Sequence, residues 1–318
     1  MRDSDTSRWS HPATILVATD LSDLDHLMPF ALAQADETGA RLILLHVLST
    51  SAAITADSSG MPYYDTAGAL EIADQTMRPW CETASRRGIR CDQLVREGRA
   101  TQQIAAAVRQ FQADRVLLGT RSRSKIGKLL IGSVAEQVLR SVYLPVITVG
   151  PEAHLPAAKD HDRIGDRVVL HATTLRETSR PSAALACQIA AAQNAKLVLL
   201  HVLPPMPEMQ RKGLPTGFDS AAMHEMIMLA SATGAGCCSA VEPLVLHGNP
   251  SIEILATAQE RHASLIVLGA TERSAFENLT RDRTVYRVLA HARCPVLTLR
   301  EPTTTAPETR EAAAAVHH

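Results

Sequence analysis

The sequence has 318 residues, of which 46% are hydrophobic, and a formal net charge of -1 at pH 7. This length accommodates two domains of about 150 residues with separate cores, and the near-neutral charge argues against a broad surface for nucleic acid or an anionic membrane. No apolar run approaches the roughly 18 residues of a membrane span, and residues 1–9 carry no signal-peptide apolar segment, which predicts a cytoplasmic protein without a membrane partner. The six cysteines show neither disulfide-framework spacing nor a CxxC pair, which predicts reduced thiols.

The first half of the chain alternates between predicted strands and helices. Continuous apolar runs at 14–18 and 42–47 are typical of buried strands, and helical apolar spacing covers 24–35 between them, with Ser22 or Asp23 as the candidate cap of this helix. The elements predicted after these are a loop (49–60), a helix (66–87), a short strand (92–95), a helix (101–110), a strand (116–118), a helix (135–140) and a closing strand (144–149). This alternation predicts an α/β fold, in which helices cover both faces of a mainly parallel sheet.

The second half repeats the first. The run ARLILLHVL at 40–48 returns as AKLVLLHVL at 195–203, and VLLG at 116–119 returns as IVLG at 266–269. The closing strand returns as well, since LPVIT at 144–148 corresponds to CPVLT at 294–298. We therefore expect two copies of one domain, at 8–150 and 165–300, joined by a linker at 150–165 and followed by a disordered tail at 301–318.

A loop between a strand and a helix, residues 119–134, has the composition of a phosphate site. Gly119 and Gly132 let an anion approach the main chain, and unpaired N–H groups at a helix start carry partial positive charge. The four cations between Gly119 and Ala135 are not balanced by any acidic side chain; they are Arg121, Arg123, Lys125 and Lys128. The alternative is that the glycines are ordinary turn residues and the cations form a solvated loop.

The repeat and this loop together resemble the universal stress protein family in its tandem two-domain form. The nucleotide-binding subclass of that family has a Gly-x2-Gly-x9-Gly-Ser loop, and here the spacing holds, with Ser122 in place of the second glycine. The resemblance implies two doubly wound five-stranded parallel sheets of strand order 3-2-1-4-5, with ATP at the carboxyl ends of strands 1 and 4. It also implies an internal pseudo-dimer, in which 146–149 pairs antiparallel with 296–299; association into homodimers of the chain stays open.

The resemblance also implies a set of nucleotide-binding residues in the first copy. Asp20 is expected at the nucleoside, and Val47 contributes a backbone contact beside the adenine. The ribose and phosphate loop comprises Gly119, Arg121, Ser122, Gly132, Ser133 and Val134. The implied ligand is ATP, with or without Mg²⁺, and neither a catalytic residue nor a protein metal site is expected. The alternative for Asp20 is a helix-capping role.

The second copy lacks most of this set, because Thr174 replaces Asp20, Glu272 replaces Ser122, and Asp282 and Arg283 replace Gly132 and Ser133. His46 and His201 occur in both copies, which favours a packing role for them. The sequence therefore predicts a stress-response regulator that binds ATP or another adenine nucleotide in its N-terminal domain only. The alternatives are a stress protein that binds no nucleotide and acts through protein partners, or an enzyme. We expect no enzyme, although weak ATP hydrolysis stays open.

Overall fold

The computed structural model describes residues 8–48, 54–56, 62–120, 131–155, 167–205, 217–233, 240–271 and 283–301. The strands of the first half are β1 (Thr14–Thr19), β2 (Arg41–Leu48), β3 (Ile54–Ala56), β4 (Pro62–Tyr64), β5 (Cys91–Glu97), β6 (Arg115–Gly119) and β7 (Val146–Val149). Its helices are α1 (Leu24–Thr38), α2 (Thr66–Arg86), α3 (Ala100–Phe111) and α4 (Ser133–Ser141). Strand and helix therefore alternate as predicted, except for the small β3–β4 hairpin.

The second half follows the same order. Its strands are β8 (Val168–Ala172), β9 (Lys196–Leu203), β10 (Ala240–His247), β11 (Leu265–Thr271) and β12 (Val296–Glu301). Its helices are α5 (Arg180–Ala192), α6 (Gly217–Ala232), α7 (Pro250–Glu260) and α8 (Arg283–His291), and a 3₁₀ turn (Glu177–Ser179) precedes α5.

Ten strands form one sheet, in the order β10-β9-β8-β11-β12-β7-β6-β1-β2-β5. Within each half the strands are parallel and the order is 3-2-1-4-5, as the resemblance implied. The two halves meet where β7 and β12 pair antiparallel, with Ile147 opposite Leu297. This confirms the predicted internal pseudo-dimer, and it removes two strand edges that would otherwise be open to pairing with other chains.

Side chains of alternate strand residues enter two cores on opposite faces of the sheet. Ile15 and Val17 pack on the face covered by α1, α2, α5 and α6, whereas Leu16 packs on the face covered by α3, α4, α7 and α8. Because both faces are covered, the strands are apolar throughout, which is why they appear as continuous hydrophobic runs in the sequence.

Polar contacts also join the two halves. The carboxylate of Glu37 on α1 pairs with Arg167, and it accepts a hydrogen bond from Gln193 Nε2 at 2.9 Å. Beside it, the buried guanidinium of Arg115 donates to Trp9 O at 2.6 Å and to the Gln34 side chain. Burial lowers the pKa of Arg115 to about 10, so the group remains charged at neutral pH.

The structure corrects three boundaries of the sequence prediction. The stretch 49–60, expected to be a loop, contains β3, which pairs with β4. The expected linker begins as packed structure, since His154 N donates to Arg293 O at 3.0 Å and His26 Nε2 lies 2.7 Å from Gly150 O. Glu301, expected in the tail, is the last residue of β12. Residues 156–166 and 302–318 lie outside the described part of the chain.

Candidate functional site

The candidate site lies at the carboxyl ends of β1 and β6, the two central strands of the first half. The chain passes from β1 to β2 on one side of β1, and it later returns to place β6 on the other side. Open parallel sheets bind ligands at such a reversal of strand order, because the loops that leave the two strands diverge and form a crevice. This position is where Asp20 and Gly119 emerge from the sheet.

A tight turn after β1 positions Asp20. Its Oδ1 accepts hydrogen bonds from Ser22 N at 2.9 Å and Ser22 Oγ at 2.6 Å, and Leu21 between them adopts φ 72°. The bond to Ser22 lies within the turn, before α1 begins at Leu24. Asp20 is half-exposed, so its carboxylate can also contact a ligand. These hydrogen bonds of Asp20 close the turn and do not cap α1, which was the alternative interpretation.

Asp23 also belongs to the site. From the sequence alone, it was only a candidate cap of α1. Its side chain makes no cap hydrogen bond, and instead Oδ1 accepts from Thr19 Oγ1 at 2.6 Å. The other oxygen lies against Gly119, where an added Cβ would be 2.4 Å from Asp23 Oδ2. Burial raises the pKa of Asp23, the Thr19 hydrogen bond opposes this, and the charge of Asp20 adds to the increase. A side chain at position 119 would therefore displace the buried carboxyl that meets the end of β6.

The two described ends of the loop after Gly119 lie close together. Thr120 N donates to Val149 O at 3.1 Å, and Gly132 N donates to Thr120 O at 3.3 Å. Gly132 then occupies the N-cap position of α4 in an extended conformation, and having no side chain it cannot cap the first turn. Ser133 and Val134 are exposed in that turn. The start of α4 thus presents backbone N–H groups beside the end of β6, as an anion site requires.

Six of the eight predicted site residues lie in the described part of the chain. Asp20, Gly119, Gly132, Ser133 and Val134 belong to the β1, β6 and α4 ends just described. Val47 lies near the end of β2. It follows His46, which pairs with Thr19, the last residue of β1. Arg121 and Ser122 lie outside the described residues. The part of the chain that the structure describes contains no group of three or more His, Cys, Asp or Glu side chains suited to a metal.

Comparison with known proteins agrees with this architecture. The family model described as the universal stress protein family matches residues 13–150 and 167–300. The chain belongs to the universal stress protein family. This tandem universal stress protein is 31% identical over 140 residues to a universal stress protein of Thermus aquaticus, which covers 43% of this chain and 97% of the relative.

A solved structure extends the likeness to both halves. A universal stress protein from Archaeoglobus fulgidus is 20% identical and superimposes with a TM-score of 0.66, covering 91% of this chain and 98% of the other. A Pseudomonas aeruginosa protein of unknown function gives a TM-score of 0.60 at 17% identity, over 93% and 95% of the two chains. At these identities the likeness shows the fold alone.

The second half of this universal stress protein keeps the turn but has neither an acid in place of Asp20 nor a buried acid in place of Asp23. Leu175 N donates to Thr173 Oγ1 at 3.1 Å, as Leu21 N does to Thr19 Oγ1 at 2.9 Å, and Leu175 has φ 59°. Thr174 takes the place of Asp20, and its hydroxyl hydrogen bonds with Ser179 Oγ at 2.9 Å. The counterpart of Asp23 is Glu177, whose side chain is 84% exposed. Glu272 and Asp282 lie outside the described residues, and Arg283 begins α8.

The two repeated histidines have the same contact in both halves. His46 Nδ1 lies 3.0 Å from Thr19 O, and His201 Nδ1 lies 2.9 Å from Thr173 O. Each ring therefore ties the second strand of its half to the end of the first strand. Because the contact persists beside Thr174, where the acid is missing, it supports the predicted packing role. Within the described residues, no helix combines the length and the apolar character of a membrane span.

Proposed function

We propose that this universal stress protein is a stress-response regulator whose first half binds an adenine nucleotide, with ATP as the ligand, and whose second half binds none. One observation carries the proposal. Asp20, Gly119 and the first turn of α4 meet at the strand-order reversal of the first half, whereas the second half keeps the same turn with Thr174 in place of the acid. If Asp20 served only to stabilise the fold, the second half, which has the same fold, would need an acid at this position as well.

Each described residue suits one part of the nucleotide. The half-exposed Asp20 carboxylate can accept hydrogen bonds from ribose hydroxyls or an adenine amino group, and the backbone of Val47 would lie beside the base. Ser133 and the first-turn N–H groups of α4 would donate to phosphate oxygens, with Arg121 and Ser122 completing the loop in this proposal. Any accompanying Mg²⁺ would be held mainly by the phosphates, since the described residues provide no carboxylate cluster.

Asp23 tunes the electrostatics of this arrangement. A carboxylate against Gly119 opposes the approach of a phosphate to the main chain there. Because burial raises the pKa of Asp23, this opposition weakens at mildly acidic pH sooner than it would for an exposed aspartate. We therefore expect ATP to bind more tightly as the pH is lowered through the raised pKa of Asp23, and this gain should disappear in Asp23→Asn.

Isothermal titration with ATP tests the proposal. Asp20→Thr recreates the residue of the second half and should weaken ATP binding at least about tenfold, which corresponds to 1.4 kcal/mol. Gly132→Glu should abolish binding, because it places a carboxylate at the helix start. Thr174→Ala is the matched control in the second half and should leave the affinity unchanged. Absence of heat with the wild type at millimolar ATP, as with Gly132→Glu, would refute nucleotide binding.

A second candidate function is that of a stress protein that binds no nucleotide and acts through protein partners. It is favoured by Ser122, which stands where the nucleotide-binding subclass has glycine. Mass spectrometry of freshly purified protein separates the two candidates, since recovery of a stoichiometric adenine nucleotide counts against this one. Release of phosphate from ATP above the level of the Asp20→Thr variant would instead indicate slow hydrolysis.

A further inference from the structure

Two cysteines meet at the edge of the first half opposite to the nucleotide site. Cys81 lies in α2, and Cys91 is the first residue of β5, so the pair sits at the amino ends of the strands. Their Sγ atoms are 2.7 Å apart, and both residues are half-buried free thiols. Neither the spacing of the cysteines nor any motif in the sequence predicted this contact.

A well-defined turn holds the two sulfur atoms together. After α2 ends, Gly88 N donates to Ser85 O at 2.9 Å, and Gly88 adopts φ 76°, which favours glycine. Ile89 is buried, and its N donates to Ala84 O at 3.0 Å, so the chain turns back directly along α2 into β5. The contact between Cys81 and Cys91 is thus fixed by helix packing and turn geometry.

We propose that Cys81 and Cys91 form a reversible disulfide when the protein meets a hydroperoxide. The Cys81 thiolate attacks the peroxide, the O–O bond breaks, and a sulfenic acid and an alcohol (water, for hydrogen peroxide) result. The sulfur of Cys91 then attacks Cys81 Sγ, the S–O bond breaks, and water leaves. In total two thiols lose two electrons and two protons, and one hydroperoxide is reduced to an alcohol and water.

The surroundings favour Cys81 as the attacking group. The hydrogen bond from Cys91 lowers the pKa of Cys81, although burial and the charges of Asp92 and Asp74 oppose this. The same contact, together with burial, raises the pKa of Cys91, so Cys81 is the thiol of the pair that loses its proton more readily. A thiolate next to a thiol is the arrangement in which a sulfenic acid is resolved by its neighbour.

The other described cysteines lack these features. Cys187 and Cys294 are buried, and the sulfur of Cys187 forms a hydrogen bond with Thr233 Oγ1 at 3.3 Å. Burial raises the pKa of Cys294 to about 12, which leaves almost no thiolate at neutral pH. Among these four described thiols the pair should therefore be oxidised first, and Cys294→Ser serves as a control variant that leaves the pair intact.

The test is a peptide map of the full-length protein after oxidation with hydrogen peroxide and alkylation of the remaining thiols. Trypsin cleaves after Arg86, Arg87 and Arg90, so Cys81 and Cys91 fall in separate peptides. We expect the peptide that ends at Arg86 to be linked to the peptide that spans 91–96, with neither Cys81 nor Cys91 alkylated. The mass of the linked pair should be about 2 Da below the sum of the two reduced peptides. Dithiothreitol should separate them, and Cys294→Ser should give the same product.

Thermal unfolding gives a second readout. A disulfide that closes this short loop should raise the Tm of the oxidised protein by about 5 °C. The rise should be absent in Cys81→Ser and in Cys91→Ser. The proposal is overturned if peroxide is consumed while Cys81 and Cys91 remain unlinked, or if the Tm shift persists in either single variant.

Discussion

The contact between Gly119 and Asp23 provides the sharpest test of the site geometry. In Gly119→Ala the new Cβ would be 2.4 Å from Asp23 Oδ2, so the carboxyl must move by about 1 Å to reach an ordinary contact distance. Such a shift strains the 2.6 Å hydrogen bond from Thr19 Oγ1, and Asp23 is only 8% exposed, which leaves its carboxyl little free space. Overpacking of this kind costs about 1 to 3 kcal/mol, and we expect about 2 kcal/mol for Gly119→Ala.

A double-mutant cycle measures this contact separately from general effects on the strand. Urea unfolding, followed by circular dichroism, would be measured for the wild type, Gly119→Ala, Asp23→Ala and the double variant. Removing the carboxyl should rescue most of the cost, which gives a coupling free energy of about 1 to 2 kcal/mol. A matched substitution in the second half, Gly269→Ala, should show no coupling to Asp23→Ala. A cost below about 0.5 kcal/mol for Gly119→Ala, or additive effects of the two changes, would refute the geometry described for the site.

Three further predictions concern the buried groups and the junction between the halves. Burial lowers the pKa of His171 to about 4, so as the pH falls below 6.5 the unfolded state takes up a proton that the folded state does not. The wild type should therefore lose about 3 kcal/mol of stability by pH 4 through this group. Urea unfolding curves of His171→Leu should lack this loss. Asp23→Asn should raise the Tm at pH 7, and the gain should shrink as the pH falls through the raised pKa of Asp23, whereas a gain independent of pH would contradict its cause. Ile147→Lys should separate β7 from β12 and give larger species in size-exclusion chromatography, unlike Ile72→Lys, which changes an exposed isoleucine of α2.

The strands of the central sheet were predictable because their burial on both faces makes them apolar throughout. The runs around Ile43 and Leu117 could be recognised without any partner, and the internal repeat then supplied the second domain. The antiparallel pairing of β7 with β12 followed from the family resemblance, and the structure confirms it. The β3–β4 pairing was missed because each strand has only three residues, which is too short for an apolar alternation to stand out from the surrounding loop composition.

Contacts between distant side chains explain why part of the site was not predicted. Asp20 and Gly119 could be assigned from their positions at strand ends, since the carboxyl ends of parallel strands share one edge of the sheet. Asp23 was interpreted as a cap because it immediately precedes a helical pattern, and its real partners depend on tertiary structure. The same limitation applies to the Cys81–Cys91 contact, which requires the turn after α2 and the packing of α2 against β5.

A comparison of the two halves distinguishes the residues that the fold requires from those that a ligand would require. Leu21 and Leu175 both adopt positive φ, a conformation that costs a leucine roughly 1 to 2 kcal/mol. Strain of this kind is often associated with function, but here it persists in the half that lacks the acid, where Thr173 accepts the same backbone hydrogen bond. The strained turn is therefore a property of the fold, since it directs the chain from the first strand into the following helix. Asp20 has no acidic counterpart in the second half, where Thr174 takes its place, so a ligand of the first half is a better explanation for Asp20 than the turn itself.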